Sequence, residues 1–96
     1  MKVMVASNLC IAKVFEPPFE LDLHGGSHIL QDVLKELARR CRSVQFSHDN
    51  GDAGDDVEKI LLNGDHYYSL PRGIRTPVNE HDTVMVQISM DPLGGG

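Results

Sequence analysis

The residues of this chain best suited to chemistry are the last ones, Gly94, Gly95 and Gly96, led in by Asp91, Pro92 and Leu93. Glycine has no Cβ, so a narrow channel can close around its backbone and a reagent can approach the final carbonyl carbon from either side. The terminal carboxylate, with a reference pKa of about 3.3 to 3.7, is ionised and inert toward nucleophiles at neutral pH. An ATP-dependent partner changes this by making an acyl-adenylate, whose AMP leaves readily and whose glycyl carbonyl accepts sulfur, a thiol or an amine. Extended, the residues from Asp91 onward span about 20 Å, enough to enter another protein's active site while the folded body stays outside. Ordering them costs about 1 to 2 kcal/mol per residue, so a docking surface on the body must supply compensating contacts. The competing reading is an inert, unstructured end or a cloning remnant.

Other constellations are weaker. His24, His28, His48, His66 and His81 form no i, i+4 metal pair within an HExxH pattern and read as surface histidines. His24 and His28 bracket Gly25, Gly26 and Ser27 where a helix begins, the one place where a helix dipole could receive an anion. Asp49, Asp52, Asp55 and Asp56 are dense enough to suggest calcium, yet no starting point gives the EF-hand order with glycine sixth and glutamate twelfth. They read as a solvated loop. No GxSxG, GxxxxGK[ST] or GxGxxG occurs, so the chain does not look like a catalyst in its own right.

Composition bounds the rest. Ninety-six residues, 41% hydrophobic and 24% charged, make one domain with a modest core. Nine Lys and Arg against fourteen Asp and Glu give a formal charge of −5, which repels a phosphate backbone, so no nucleic-acid partner is expected. Arg39, Arg40 and Arg42 fall where they complement a helix C-terminus. Cys10 and Cys41 have neither zinc nor disulfide spacing and read as reduced thiols. Neither a signal-peptide h-region nor a run of about 18 apolar residues is present, so a cytoplasmic protein without membrane attachment is expected.

The elements that must position the tail are legible from periodicity. "KVMVAS" and "FELDLH" alternate as strands; "NLCIAKVFEPP" between them reads as a loop ended by Pro17-Pro18. "GGSHILQDVLKELARRC" predicts a helix with Ser27 as N-cap and an apolar stripe of Ile29, Leu30, Val33, Leu34, Leu37, Ala38 and Cys41. Cys41 on that stripe is a core residue rather than a nucleophile. "VEKILL" and "DHYYSL" read as strands about the Asn63-Gly64 turn, and "PRGIRTPVNEHD" as a connector. "TVMVQIS" alternates again, with Val84, Val86 and Ile88 on one side and Met85, Gln87 and Ser89 on the other. One helix serving several strands is an α+β roll, with a domain over 1–90 and a flexible tail over 91–96.

In this order "KVMVAS", "FELDLHGGSHILQDVLKEL", "ILLNGDHYY", "TPVNEHDTVMV" and a diglycine end resemble the β-grasp, ubiquitin-like sulfur carriers, which include the small subunit of molybdopterin synthase and the thiamin sulfur carrier (MoaD/ThiS type). The resemblance implies a mixed sheet packed on one main helix, and a protein that is carrier and substrate rather than enzyme. An E1-like adenylyltransferase using ATP and magnesium would activate Gly96, with Gly95 beside it, and sulfur would replace a carboxylate oxygen to give a thiocarboxylate. The sulfur would pass to a cofactor precursor, molybdopterin being favoured, with a large synthase subunit or a sulfurtransferase as further partners. No bound cofactor is implied. The family docks through an apolar patch beside the tail, for which Met85, Met90 and Leu93 are candidates, with Gly94 lengthening the flexible segment. Two features depart from the pattern: Asp-Pro-Leu stands where many relatives have a proline-rich apolar lead-in, and the loop from Asp49 to Asp56 lengthens the middle of the domain. Two other functions stay open: a modifier joined to lysines through Gly96, and a non-covalent module with an inert tail.

Overall fold

Alternating valines set the frame. In β1 (Lys2–Ser7) Val3 and Val5 are fully buried while Lys2 and Met4 are exposed, and β2 (Phe19–Asp22) returns antiparallel with Leu21 opposite Val3 and Phe19 opposite Val5. A computed structural model describes residues 1–89 of the chain. The elements that follow are β3 (His28–Ile29), α1 (Leu30–Arg40), β4 (Val57–Leu62), β5 (Asp65–His66), β6 (Pro77–Val78) and β7 (Thr83–Ile88). Five strands form a mixed sheet in the order β2-β1-β7-β4-β5, with β7 parallel to β1 and antiparallel to β4. The two central strands thus come from opposite ends of the chain.

α1 lies on one face of this sheet. Leu30, Val33, Leu34 and Leu37 show no exposure, and with Cys41 they join Val3, Val5, Leu21, Ile60, Val84 and Val86 in one core. Three- and four-residue spacing places these side chains on one helical stripe, and period-two alternation places their partners on one sheet face. Cys41 is a buried core residue, and Cys10 is exposed.

The helix begins later than its glycine-serine entry implies. Ile29, not Ser27, is the N-cap, because His28 and Ile29 first pair with Val78 and Pro77 as a two-stranded ladder. The Asp32 carboxylate accepts the Ile29 N–H at 2.9 Å and does the capping work assigned to Ser27. The connector therefore holds a strand, β6, and the second arm of the hairpin is shorter than its apolar pattern suggests. Only Asp65 and His66 pair with β4; Tyr67 to Ser69 wind into a 3-10 turn whose Tyr68 N–H is accepted by His66 Nδ1 at 3.2 Å. Asn63 and Gly64, both at positive φ, make the tight turn.

The acidic segment is more ordered than a solvated loop. Phe46 is fully buried and packs 5.4 Å from Phe15, which anchors both irregular segments in the core. Ser47 bridges Ala53, His48 N–H reaches the Asp52 carbonyl at 2.8 Å, and Asp56 accepts the Gln45 N–H at 2.8 Å. Gly54 is required by close approach, since a Cβ there would stand 1.9 Å from the Gln45 carbonyl oxygen. Gly54→Ala should therefore lower stability by roughly 1 to 3 kcal/mol. Gly26→Ala, whose Cβ would meet nothing within 4 Å, should change it by less than about 0.5 kcal/mol; urea midpoints of the two variants compare them directly.

Candidate functional site

Val84, Val86 and Ile88 pull β7 into the core on alternate residues, so the strand is held up to its last position. Beyond Ser7, β1 no longer pairs with β7, and a side chain takes over. Asn8 Oδ1 accepts the Ile88 N–H at 2.8 Å and its Nδ2 donates to the Ile88 carbonyl at 2.9 Å, an amide imitating one more residue of strand. The Ser89 N–H then donates to the Asp56 carbonyl at 2.9 Å. Ile88 and Ser89 are thereby held from both flanks, by the residue after β1 and by the end of the acidic loop. Met90, Leu93, Gly94, Gly95 and Gly96 lie outside the described residues.

The sheet face turned away from α1 carries the other half of the site. Met85 is half-buried there and stands between Ala6 on β1 and Leu61 on β4; Leu61 in turn faces His66 on β5. Since paired residues share a face, Ala6, Met85, Leu61 and His66 form one row across four strands. The imidazole of His66 stacks on Tyr68 at 4.7 Å between centroids, and Tyr68, 78% exposed, prolongs the row past the sheet edge. Met4 is 38% exposed on the same face, with the Lys2 and Glu20 pair beside it at 3.7 Å. Met85 thus belongs to a surface rather than to the core.

Sequence reasoning placed Met85 but missed Asn8, Leu61, His66 and Tyr68. An asparagine after a strand signals only that a side chain could bond to nearby backbone; its partner is eighty residues away. Leu61 sits in an apolar run whose two faces periodicity cannot separate.

The histidines and acidic groups fall elsewhere. His28 approaches Asp32 at 3.5 Å and the His24 carbonyl, and Asp32 itself, accepting the Ile29 N–H, supplies the negative charge at the helix N-terminus. His48 pairs with Asp55 at 3.0 Å, and Asp52 accepts the Asn50 side-chain amide. Among the described residues no group of three or more His, Cys, Asp or Glu side chains is placed to hold a metal ion, and no helix is long and apolar enough to cross a membrane. Tyr67 has its phenol pushed up to about 12 by partial burial first and then by the adjacent Tyr68 phenol and the nearby carboxylate of Asp52, so it stays protonated at neutral pH.

If Asn8 closes the end of β7, Asn8→Ala should speed exchange of the Ile88 amide by roughly tenfold or more, since each hydrogen bond lost is worth about 0.5 to 1.5 kcal/mol. The Val84 and Val86 amides, bound within the sheet, should be unaffected; hydrogen exchange followed by NMR reads all three together.

No protein-family model matches the sequence, and no curated protein matches it. Solved structures do. SAMP1 from Haloferax volcanii, a crystal structure, matches with a TM-score of 0.69 at 15% identity, over 95% of this chain and 98% of that one. The HVO 2177 protein of Haloferax volcanii, a solution structure, matches with a TM-score of 0.64 at 20% identity, over 96% and 86%. At such identities the likeness is one of fold, and with the mixed sheet and its single helix it shows that this chain has the β-grasp, ubiquitin-like roll.

Proposed function

We propose that this chain is a ubiquitin-like carrier worked through its last glycine. The observation that carries the reading is the end of β7 at Ile88, where the core strand that carries Met85 in its outward row is clamped by Asn8 just before the described chain stops at Ser89. The row gives an activating partner something to hold, and the tail gives it something to modify.

In the proposed cycle an E1-like adenylyltransferase binds the outer face of the sheet. A Gly96 carboxylate oxygen attacks the α-phosphorus of a magnesium-bound ATP, forming a P–O bond and releasing pyrophosphate. A hydrosulfide-level sulfur nucleophile then attacks the acyl carbon, the C–O bond to AMP breaks, and the thiocarboxylate and AMP result. Gly95 and Gly94 leave room for the channel around this carbon, and Met90 and Leu93 continue the apolar contact begun by Met85. The sulfur passes to a cofactor precursor, with molybdopterin the favoured acceptor and a large synthase subunit or a sulfurtransferase the corresponding partner. The domain holds no cofactor of its own and works in the cytoplasm. A second reading is supported by the roll shared with SAMP1: the same acyl-adenylate transferred to a lysine amine, giving an isopeptide-linked modifier.

Intact mass of the protein from its own cell, kept free of thiols, with fragmentation of the C-terminal peptide, tests this. One sulfur in place of one oxygen at Gly96 is expected. An unmodified terminus with isopeptide-linked ladders selects the second reading, and an unmodified terminus without ladders overturns both. Met85→Asp, which puts a charge in the middle of the row, should slow adenylation by about tenfold or more while leaving the fold intact; unchanged pyrophosphate release would remove the row from the docking surface.

A further inference from the structure

A cavity of about 540 Å³ opens beyond the β4 and β5 edge, between the acidic loop and the 3-10 turn that follows β5. Its charged walls are of one sign. Asp52 comes from the loop and Glu58 from β4, both exposed, and no lysine or arginine lines the cavity. His48 also lines it but is held by Asp55 at 3.0 Å, so a proton on that imidazole would be offset where it sits. Glu58 has no ion pair or side-chain hydrogen bond among the described residues and is free to meet a ligand.

The remaining walls are aromatic and apolar. The rings of Tyr67 and Tyr68 lie 4.3 Å apart between centroids, and Ile74, Val57, Ala53 and Gly54 complete the described lining. Both phenols present a negative π-face, and Tyr67 keeps its proton well above neutral pH because it is partly buried and flanked by Tyr68 and Asp52. Two carboxylates, two tyrosine faces and an apolar floor suit a cation on a long aliphatic stem. Between the two side chains of that kind, a planar guanidinium stacks on an aromatic ring and takes a carboxylate at its edge, which an ammonium cannot do as well. The volume exceeds one side chain and leaves space for the peptide that bears it.

We propose that this edge cavity is a binding site for an arginine-bearing segment of a partner protein. The cavity is continuous with the outer-face row, because Tyr68 walls the one and stacks on His66 at the end of the other. A partner covering Leu61 and Met85 reaches it with an arginine at the rim of the contact. The assignment does not depend on what happens at Gly96, since it is argued from residues of the folded body alone.

The probe is an acetylated, amidated Gly-Arg-Gly peptide titrated into the whole protein at low salt and followed by ¹H–¹⁵N NMR, with the citrulline peptide as its uncharged twin. Saturable shifts are expected at Ala53, Glu58, Tyr67, Tyr68 and Ile74 with the arginine peptide and not with citrulline. Glu58→Gln should weaken the arginine peptide by roughly fivefold, and it breaks no described contact, so the fold is kept. Asp52→Asn is the second variant, its spectrum first checked because Asp52 also holds Asn50. Equal shifts with citrulline, shifts confined to other residues, or an affinity unchanged in both variants would each overturn the proposal.

Discussion

The burial of one leucine-rich helical stripe against the paired strands β1 and β7 is the contact from which the rest of the molecule follows. Leu30, Val33, Leu34 and Leu37 bury their side chains in one core in which Val3, Val5, Val84 and Val86 are also fully buried. At about 25 cal/mol per Å² of apolar area removed from water, these side chains dominate what stabilises so small a domain. Because β1 and β7 are the two ends of the described chain laid side by side, the core cannot form without fixing where the C-terminal strand finishes. The position of the tail's exit is thus a by-product of burial.

Among the described residues the sheet has one face covered by α1 and one face left open. On the open face, period-two alternation leaves Ala6, Met85, Leu61 and His66 in register across four strands, bordered by charged residues such as Lys2, Glu20 and Lys59. An apolar row that is half-buried among its own neighbours is compatible with a soluble surface and still offers a partner contact area. Its Met85 lies on β7, the last strand of the described chain. The Asn8 amide makes that arrangement directional: with it, Ile88 has both main-chain groups paired and the chain leaves the sheet at a defined place.

The irregular segments do more than connect. Phe46 fixes the acidic loop to the core and Asp56 returns its carboxylate and its carbonyl to two other segments, one of them the residue after β7. The same loop supplies one wall of the cavity beyond β5, so a segment that looks like an insertion shapes both the exit of the tail and the sheet edge. Hydrogen bonds of this kind join residues far apart in sequence, and for that reason they do not leave a periodic trace.

The sequence by itself determined the roll, the helix stripe, the strand phases and the candidate tail, because burial acts on side chains spaced by two or by three and four, and that spacing is written in the chain. Cys41 could be read as core and Met85 as facing away from Val84 and Val86 for the same reason. Only the tertiary structure decided that His28 and Ile29 pair with Pro77 and Val78 before the helix starts, that Asp32 caps it instead of Ser27, and that the Tyr67 and Tyr68 pair turns off the sheet. It also decided that Asn8 completes β7 and that Glu58 shares a cavity with two tyrosines. Each of those is a meeting of residues with no fixed separation, brought about by the path of the backbone once the core has closed, and no local pattern specifies it.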